Sequence, residues 1–229
     1  MTGFQIIFAT GNQNKVREVR EILEETPSLS GTPVISAGEA GLISDPEETG
    51  STFEENALIK ARALAALLPP AGPALDAFMT THDLHPACPL VVLSDDSGLC
   101  IDALGGAPGI LSARYLGRDT SYQFKMNTIL DRMKQVPAEQ RSARFVAAVA
   151  AVLPDGTDFV VRGTMEGRIG YAIAGTNGFG YDPFFYLPQF GKTSAEISPE
   201  QKNAISHRGQ ALRKALAALR QQFPAQAKP

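Results

Sequence analysis

Cysteine is scarce in this sequence: Cys88 and Cys100 are the only two in 229 residues. Their separation does not match a metal-ligand motif, so they read as ordinary thiols of a cytosolic protein and not as a disulfide framework. Long apolar runs are missing too. The longest, Ala61–Leu68 and Phe145–Leu153, fall well short of the roughly 20 residues that span a bilayer. No basic region precedes the short apolar run at Ile6–Ala9, so neither a secretion signal nor a membrane role is expected. Positive charge is also in deficit. A net charge of −3 gives none of the basic footprint of a protein that grips a nucleic-acid backbone. The GxxxxGK[ST] phosphate loop is absent as well. What remains is an ordinary globular composition, 44% hydrophobic and 20% charged, with enough chain for one large domain or two lobes on a continuous core.

Periodicity supplies the elements. Gln5–Ala9 is a β-branched and aromatic run that predicts a buried strand, stopped by the turn formers Thr10-Gly11-Asn12-Gln13-Asn14. Val16, Val19, Ile22 and Leu23 then fall on one face of a helix. A short strand fits Val34–Ser36. A second helix fits Thr52–Leu68, where Thr52 and Glu55 have capping-box spacing. Residues 69–89 are punctuated by Pro69, Pro70, Gly72, Pro73, Pro86 and Pro89 and predict a loop or loosely held insert. Pro89–Leu93 predicts a buried strand ending at Ser94-Asp95-Asp96-Ser97-Gly98. A helix near Ser121–Gln135, strands near Ala143–Leu153 and Asp158–Thr164, a glycine-rich stretch over 163–180 and a last helix over Ser206–Gln222 complete the chain. Mixed strands and helices without repeats or linkers indicate a single α/β domain over 1–229 with a mixed sheet.

Four segments carry polar residues that packing alone does not require. Thr10-Gly11-Asn12-Gln13-Asn14-Lys15 joins a strand to a helix, where backbone N–H groups, the helix N-terminus and Lys15 can hold phosphate oxygens; a plain turn with an exposed lysine is the alternative. Asp95 and Asp96 close an apolar strand, and a carboxylate there suits a hard metal ion or a general base, or else an Asx turn and helix cap. Asp45-Pro46-Glu47-Glu48 is a possible second anchor for the metal. Gly175-Thr176-Asn177-Gly178-Phe179-Gly180-Tyr181-Asp182-Pro183 leaves an aromatic face open to a flat partner, unless Phe179 packs into the core. Lys202-Asn203-Ala204-Ile205-Ser206-His207-Arg208, leading into the last helix, can receive an anion or a carbonyl, or can simply be a solvated face.

In order along the chain, these segments resemble the inosine/xanthosine triphosphate pyrophosphatase family, which removes non-canonical purine nucleotides. The matching stretches are Ala9-Thr10-Gly11-Asn12 with Lys15, Glu47 to Ala57, Lys60-Ala61-Arg62, Asp95 to Leu99, Leu104 to Tyr115, Gly178 to Pro183 and Ser206 to Leu212. The resemblance implies two α/β lobes on a long mixed sheet, a nucleotide in the central cleft, and a cytoplasmic homodimer. It implies Mg²⁺-dependent hydrolysis of ITP, dITP or XTP to the monophosphate and pyrophosphate. Carried over by position, Thr10, Gly11, Asn12, Gln13, Asn14, Lys15 and Lys60 would hold the phosphates. Asp96 would be general base and metal ligand, with Glu47 as second acid and Glu48 as its alternative. Ser97, Phe179, Gly180, Tyr181, Asp182, Lys202, His207 and Arg208 would hold the base and sugar. A same-fold enzyme for pyrimidine or modified nucleotides and a non-catalytic nucleotide sensor are the rival readings. The insert at 69–89 departs from the family pattern, and its proline density predicts few core contacts.

Overall fold

The computed structural model describes residues 3–27 and 29–224. Seven strands form one mixed sheet: β1 (Gln5–Phe8), β2 (Val34–Ser36), β3 (Leu90–Ile101), β4 (Ser142–Val152), β5 (Asp158–Ile169), β6 (Phe185–Leu187) and β7 (Lys192–Thr193). Their order across the sheet is β2-β1-β3-β4-β5-β6-β7. β1 runs parallel to both β2 and β3, with Ile7 opposite Ile35 and Val92, whereas β6 is antiparallel to β5 and β7. The helices are α1 (Gln13–Glu25), α2 (Phe53–Ala65), α3 (Pro73–Thr81), α4 (Tyr122–Arg132), α5 (Pro199–Ile205) and α6 (His207–Gln222). No helix among the described residues is long and apolar enough to cross a membrane.

The chain divides into two compact units. The first comprises the chain up to Asp96, Ala148–Arg162 and everything from Ala211 on; the second comprises Ser97–Ala147 and Gly163–Gln210. In the first unit, Val16, Val19, Ile22 and Leu23 of α1 are buried, as is the stripe Leu212, Ala215, Leu216 and Leu219 of α6. Both stripes are those the 3.6-residue period predicts. In the second unit a core cluster joins Leu99 and Ile101 of β3 to Met126 and Ile129 of α4, Phe145 of β4 and Phe184 and Phe185 at β6.

Four local expectations are corrected. β3 does not stop before Ser94 but continues to Ile101 and is buried along most of its length. As an interior strand it has a neighbour on each side, and its polar residues find partners, so turn propensity is overridden. β5 continues past Thr164 to Ile169 despite Gly167; a Cβ there would stand 2.6 Å from the Phe185 ring, so the glycine allows close approach and does not end the strand. The segment 69–89 is not a loop alone. It contains α3, buries Met79 and Leu84, and is tied to β1 by Gln5. That buried side chain donates to the carbonyls of His85 and Cys88 and accepts the His85 N–H at 2.7 Å. Lys202 and Asn203 lie on the separate helix α5, and α6 starts at His207.

Candidate active site

In the first unit, three elements converge on the consecutive aspartates of β3. Side chains alternate along an extended strand, and the two carboxylates find different lysines. Lys15, from the first turn of α1, reaches Asp95 at 2.9 Å, and Lys60 of α2 reaches Asp96 at 2.7 Å. Lys60 also donates to Glu48 at 3.2 Å. α2 can present Lys60 because Ala57, Ala61 and Leu64 bury the adjoining stripe of the helix, and because the Thr52–Glu55 capping box that its sequence predicts is formed. Asn56, one turn before Lys60 and fully buried, donates to the second oxygen of Asp96 at 3.5 Å. Ser94 donates to the Ala57 carbonyl and fastens strand to helix.

The electrostatics of this group are those of a crowded, partly dry site. Burial pushes the Asp96 carboxyl above the usual aspartate range, and the ammonium groups of Lys60 and Lys15 offset only part of that. Burial works against the Lys60 charge as well. There Asp96, Asp95 and Glu48 outweigh it, and the ammonium is held above the ordinary lysine range. Two lysines facing three carboxylates leave the group one negative charge in excess.

The second unit builds a different cluster. Phe179 is half-buried, with the Lys202 ammonium 5.3 Å and the Arg208 guanidinium 5.6 Å from its ring centre. Asp182 organises the turn. Its carboxylate accepts from the Phe179 N–H at 2.9 Å, from Lys202 at 2.7 Å and from the Ser194 hydroxyl. Gly178 lies in the left-handed region at φ 72°, and a Cβ there would collide with the Asp182 carboxylate. Arg208 donates to Ser97 at 2.9 Å. His207 stacks on Phe145 with ring centres 4.9 Å apart.

The sequence pattern of the Ham1 family matches residues 6–218. The chain belongs to the Ham1 family. It is 45% identical over 215 residues to a dITP/XTP pyrophosphatase of Exiguobacterium sibiricum, covering 94% of this chain and 96% of that protein. With the dITP/XTP pyrophosphatase of Escherichia coli strain K12 the identity is 42% over 218 residues, covering 94% and 98%. The solved structure of the Staphylococcus aureus Ham1 protein superposes with a TM-score of 0.74 at 36% identity, covering 95% of this chain and 99% of that one.

In this Ham1 chain, Lys15, Lys60 and Asp96 come together in the first unit, and Ser97, Phe179, Lys202 and Arg208 in the second, whereas His207 lies against Phe145. The other expected residues are placed less directly. Gly11, Asn12, Gln13 and Asn14 are exposed, and Asn12 caps α1 by accepting from the amides of Asn14 and Lys15. Those two amides are therefore already engaged. Glu47 is exposed, and the acid that meets Lys60 is Glu48. Tyr181 is buried, donating to the Ser112 carbonyl and packing edge-on against Tyr122. Asp182 is equally buried, and Gly180 packs beside Tyr122. Ser206 ends α5, and its side chain accepts the Gly209 N–H at the start of α6. Asn56 lies within the matching stretch Glu47 to Ala57 but is assigned no role by the sequence; its signal there is a polar residue one turn before Lys60.

Proposed function

We propose that the chain hydrolyses inosine and xanthosine triphosphates, including the deoxy forms, to the nucleoside monophosphate and pyrophosphate. The observation that carries this is Asp96: a buried carboxylate held between Lys60 and Asn56 beside Glu48, in a chain whose relatives are named dITP/XTP pyrophosphatases. Water adds to the α-phosphorus, the bond from that phosphorus to the bridging oxygen breaks, and pyrophosphate leaves. The Asp96 carboxylate takes the proton of the attacking water and returns it to solvent. Lys15 and Lys60 oppose the charge that collects on the phosphate oxygens.

The donor set fits a divalent cation, and Mg²⁺ best. Among the described residues no three His, Cys, Asp or Glu side chains form a ready metal cage. Mg²⁺ commonly binds through one or two carboxylates, with substrate phosphates and water completing its shell. Asp96 and Glu48 would hold it, with Glu47 the other acid of that loop. When bound, the ion neutralises phosphate charge and acidifies the water it holds.

Phe179 and the cations beside it suit a purine ring. Stacking accepts any purine, so the hydrogen-bonding edge must discriminate. Inosine and xanthosine offer a 6-oxo acceptor without an amino group at C2; adenine carries an amino donor at C6 and guanine at C2. Donors such as Lys202 and Arg208 accept the first pair and oppose the second. Each mismatch costs about 1–3 kcal/mol, roughly 5–150-fold. Exposed Leu111, Leu116, Phe124 and Tyr171, all in the second unit, support a homodimer.

Incubating the protein with ITP and Mg²⁺ and following phosphorus NMR tests the reaction. IMP and pyrophosphate are expected, with kcat/KM for ITP and XTP above that for ATP and GTP by at least the margin given. Formation of IDP and orthophosphate, or equal kcat/KM for ATP and ITP, contradicts the proposal.

A further inference from the structure

Asn56 is fully buried on α2, one turn before Lys60 and beside the apolar stripe of Ala57, Ala61 and Leu64. Packing alone would be met there by an apolar side chain, because a buried carboxamide is costly unless both its ends are bonded. Both are. Its Oδ1 accepts the Gly50 N–H at 2.9 Å, and its Nδ2 faces Asp96 Oδ2 at 3.5 Å. The second contact is long, at the outer limit of a hydrogen bond, but the first fixes its sense. The backbone N–H of Gly50 can only donate, so the carbonyl end must turn to it and the amino end to Asp96. Lys60, one turn on, takes the other oxygen of Asp96. Gly50 stands two residues from Glu48, which meets the same lysine. The approach is close: a Cβ on Gly50 would come within 2.6 Å of Asn56 Oδ1 and 2.7 Å of Glu55 Cβ. One side chain therefore grips the segment bearing Glu48 with one end and the Asp96 carboxylate with the other.

We propose that Asn56 is a positioning residue that holds Asp96 and the segment bearing Glu48 in place for a divalent cation. It touches neither substrate nor metal; it acts through the two acids. The inference rests on the pyrophosphatase reading above for its kinetic part, whereas metal binding by the nucleotide-free protein is independent of it.

The test uses the full chain with Asn56→Leu, which removes both bonds at similar volume, and Gly50→Ala, which breaks the same link from the other side. Mn²⁺ binding is read by electron paramagnetic resonance without nucleotide, and kcat and KM for ITP are taken per folded molecule. Each variant is expected to bind Mn²⁺ at least threefold more weakly and to lose at least tenfold in kcat, with KM changed less than threefold. The double variant is expected to be no worse than the poorer single one, because both break one link. A merely structural Asn56 would lower the melting temperature while leaving Mn²⁺ affinity and kcat per folded molecule intact. Wild-type values of either quantity in a folded variant overturn the proposal. Where neither folds, Asn56→Ser carries the same expectation. Failure of the wild-type chain to hydrolyse ITP would sink the proposed function instead, and the Mn²⁺ comparison would still decide the role of Asn56.

Discussion

Burial and neighbouring charge pull the Asp96 carboxyl in opposite directions, and burial prevails. The base must be ionised to work, so a raised value moves the acid limb of the kcat/KM profile above the ordinary aspartate range. A saturating divalent cation favours the ionised form and should draw that limb back down. Profiles at low and high Mg²⁺ check this; a limb that ignores the metal argues against Asp96 as the titrating base. The same shift has a signed consequence for stability without metal. Between the ordinary and the raised value the folded state binds more protons than the unfolded, so stability falls as pH rises through that window. Asp96→Asn keeps the shape and removes the base, and a loss of about 10²–10⁴-fold in kcat is expected. Asp95→Asn, which releases Lys15 but spares the proposed base, should be milder. The reverse order would exchange their roles. At this scale it was legible from the order of segments, which resembles a family, that Lys15 and Lys60 would lie near the aspartates; the roles proposed for them remain for the variants to test. That Glu48 and not Glu47 meets Lys60 was not legible, since it depends on which of two consecutive carboxylates the loop turns inward, and no propensity records that.

Among the elements, the amphipathic helices and apolar strands were legible because their stripes must be buried to form at all; α1, α6 and β1 came directly from period and composition. α5 was missed although Ser198, Pro199 and Gln201 carry a capping box with proline at the first helical position. β3 was cut short because Ser-Asp-Asp-Ser-Gly is turn-forming in isolation, and only its lateral neighbours and distant partners make it a strand. The segment 69–89 misled for a related reason. Its prolines flank α3, and the apolar residues that anchor it are too few to show a period. The expectation of few core contacts changes accordingly. Replacing Pro70–Pro86 with a short linker strips Met79 and Leu84 from the interior and leaves Gln5 without its partners at His85. Met79→Ala alone should cost about 2–5 kcal/mol, read as a lower urea midpoint with unchanged slope. Wild-type stability after the full replacement would show the anchoring to be ornamental.

For the whole molecule, the exposed apolar side chains predict association. Leu111, Leu116 and Phe124 come from one stretch of the second unit, and Tyr171 is 70% exposed. Single exposed hydrophobics are unremarkable, and it is the three from one stretch that the proposed dimer would use. Sedimentation equilibrium should return twice the 24.4 kDa chain mass, and Phe124→Glu should shift the protein toward monomer without loss of fold. A monomeric wild-type protein would refute the dimer while leaving the chemistry untouched. The pairing of Lys15 with Asp95 and of Lys60 with Asp96 bears on how each turnover ends. The ammonium groups that would greet an incoming triphosphate already have anionic companions, and those companions never diffuse away. When hydrolysis leaves pyrophosphate in their place, tethered carboxylates compete for the same lysines at an effective concentration no free product can match. On the proposed reading the site carries its own displacing agent, which would hasten the departure of pyrophosphate.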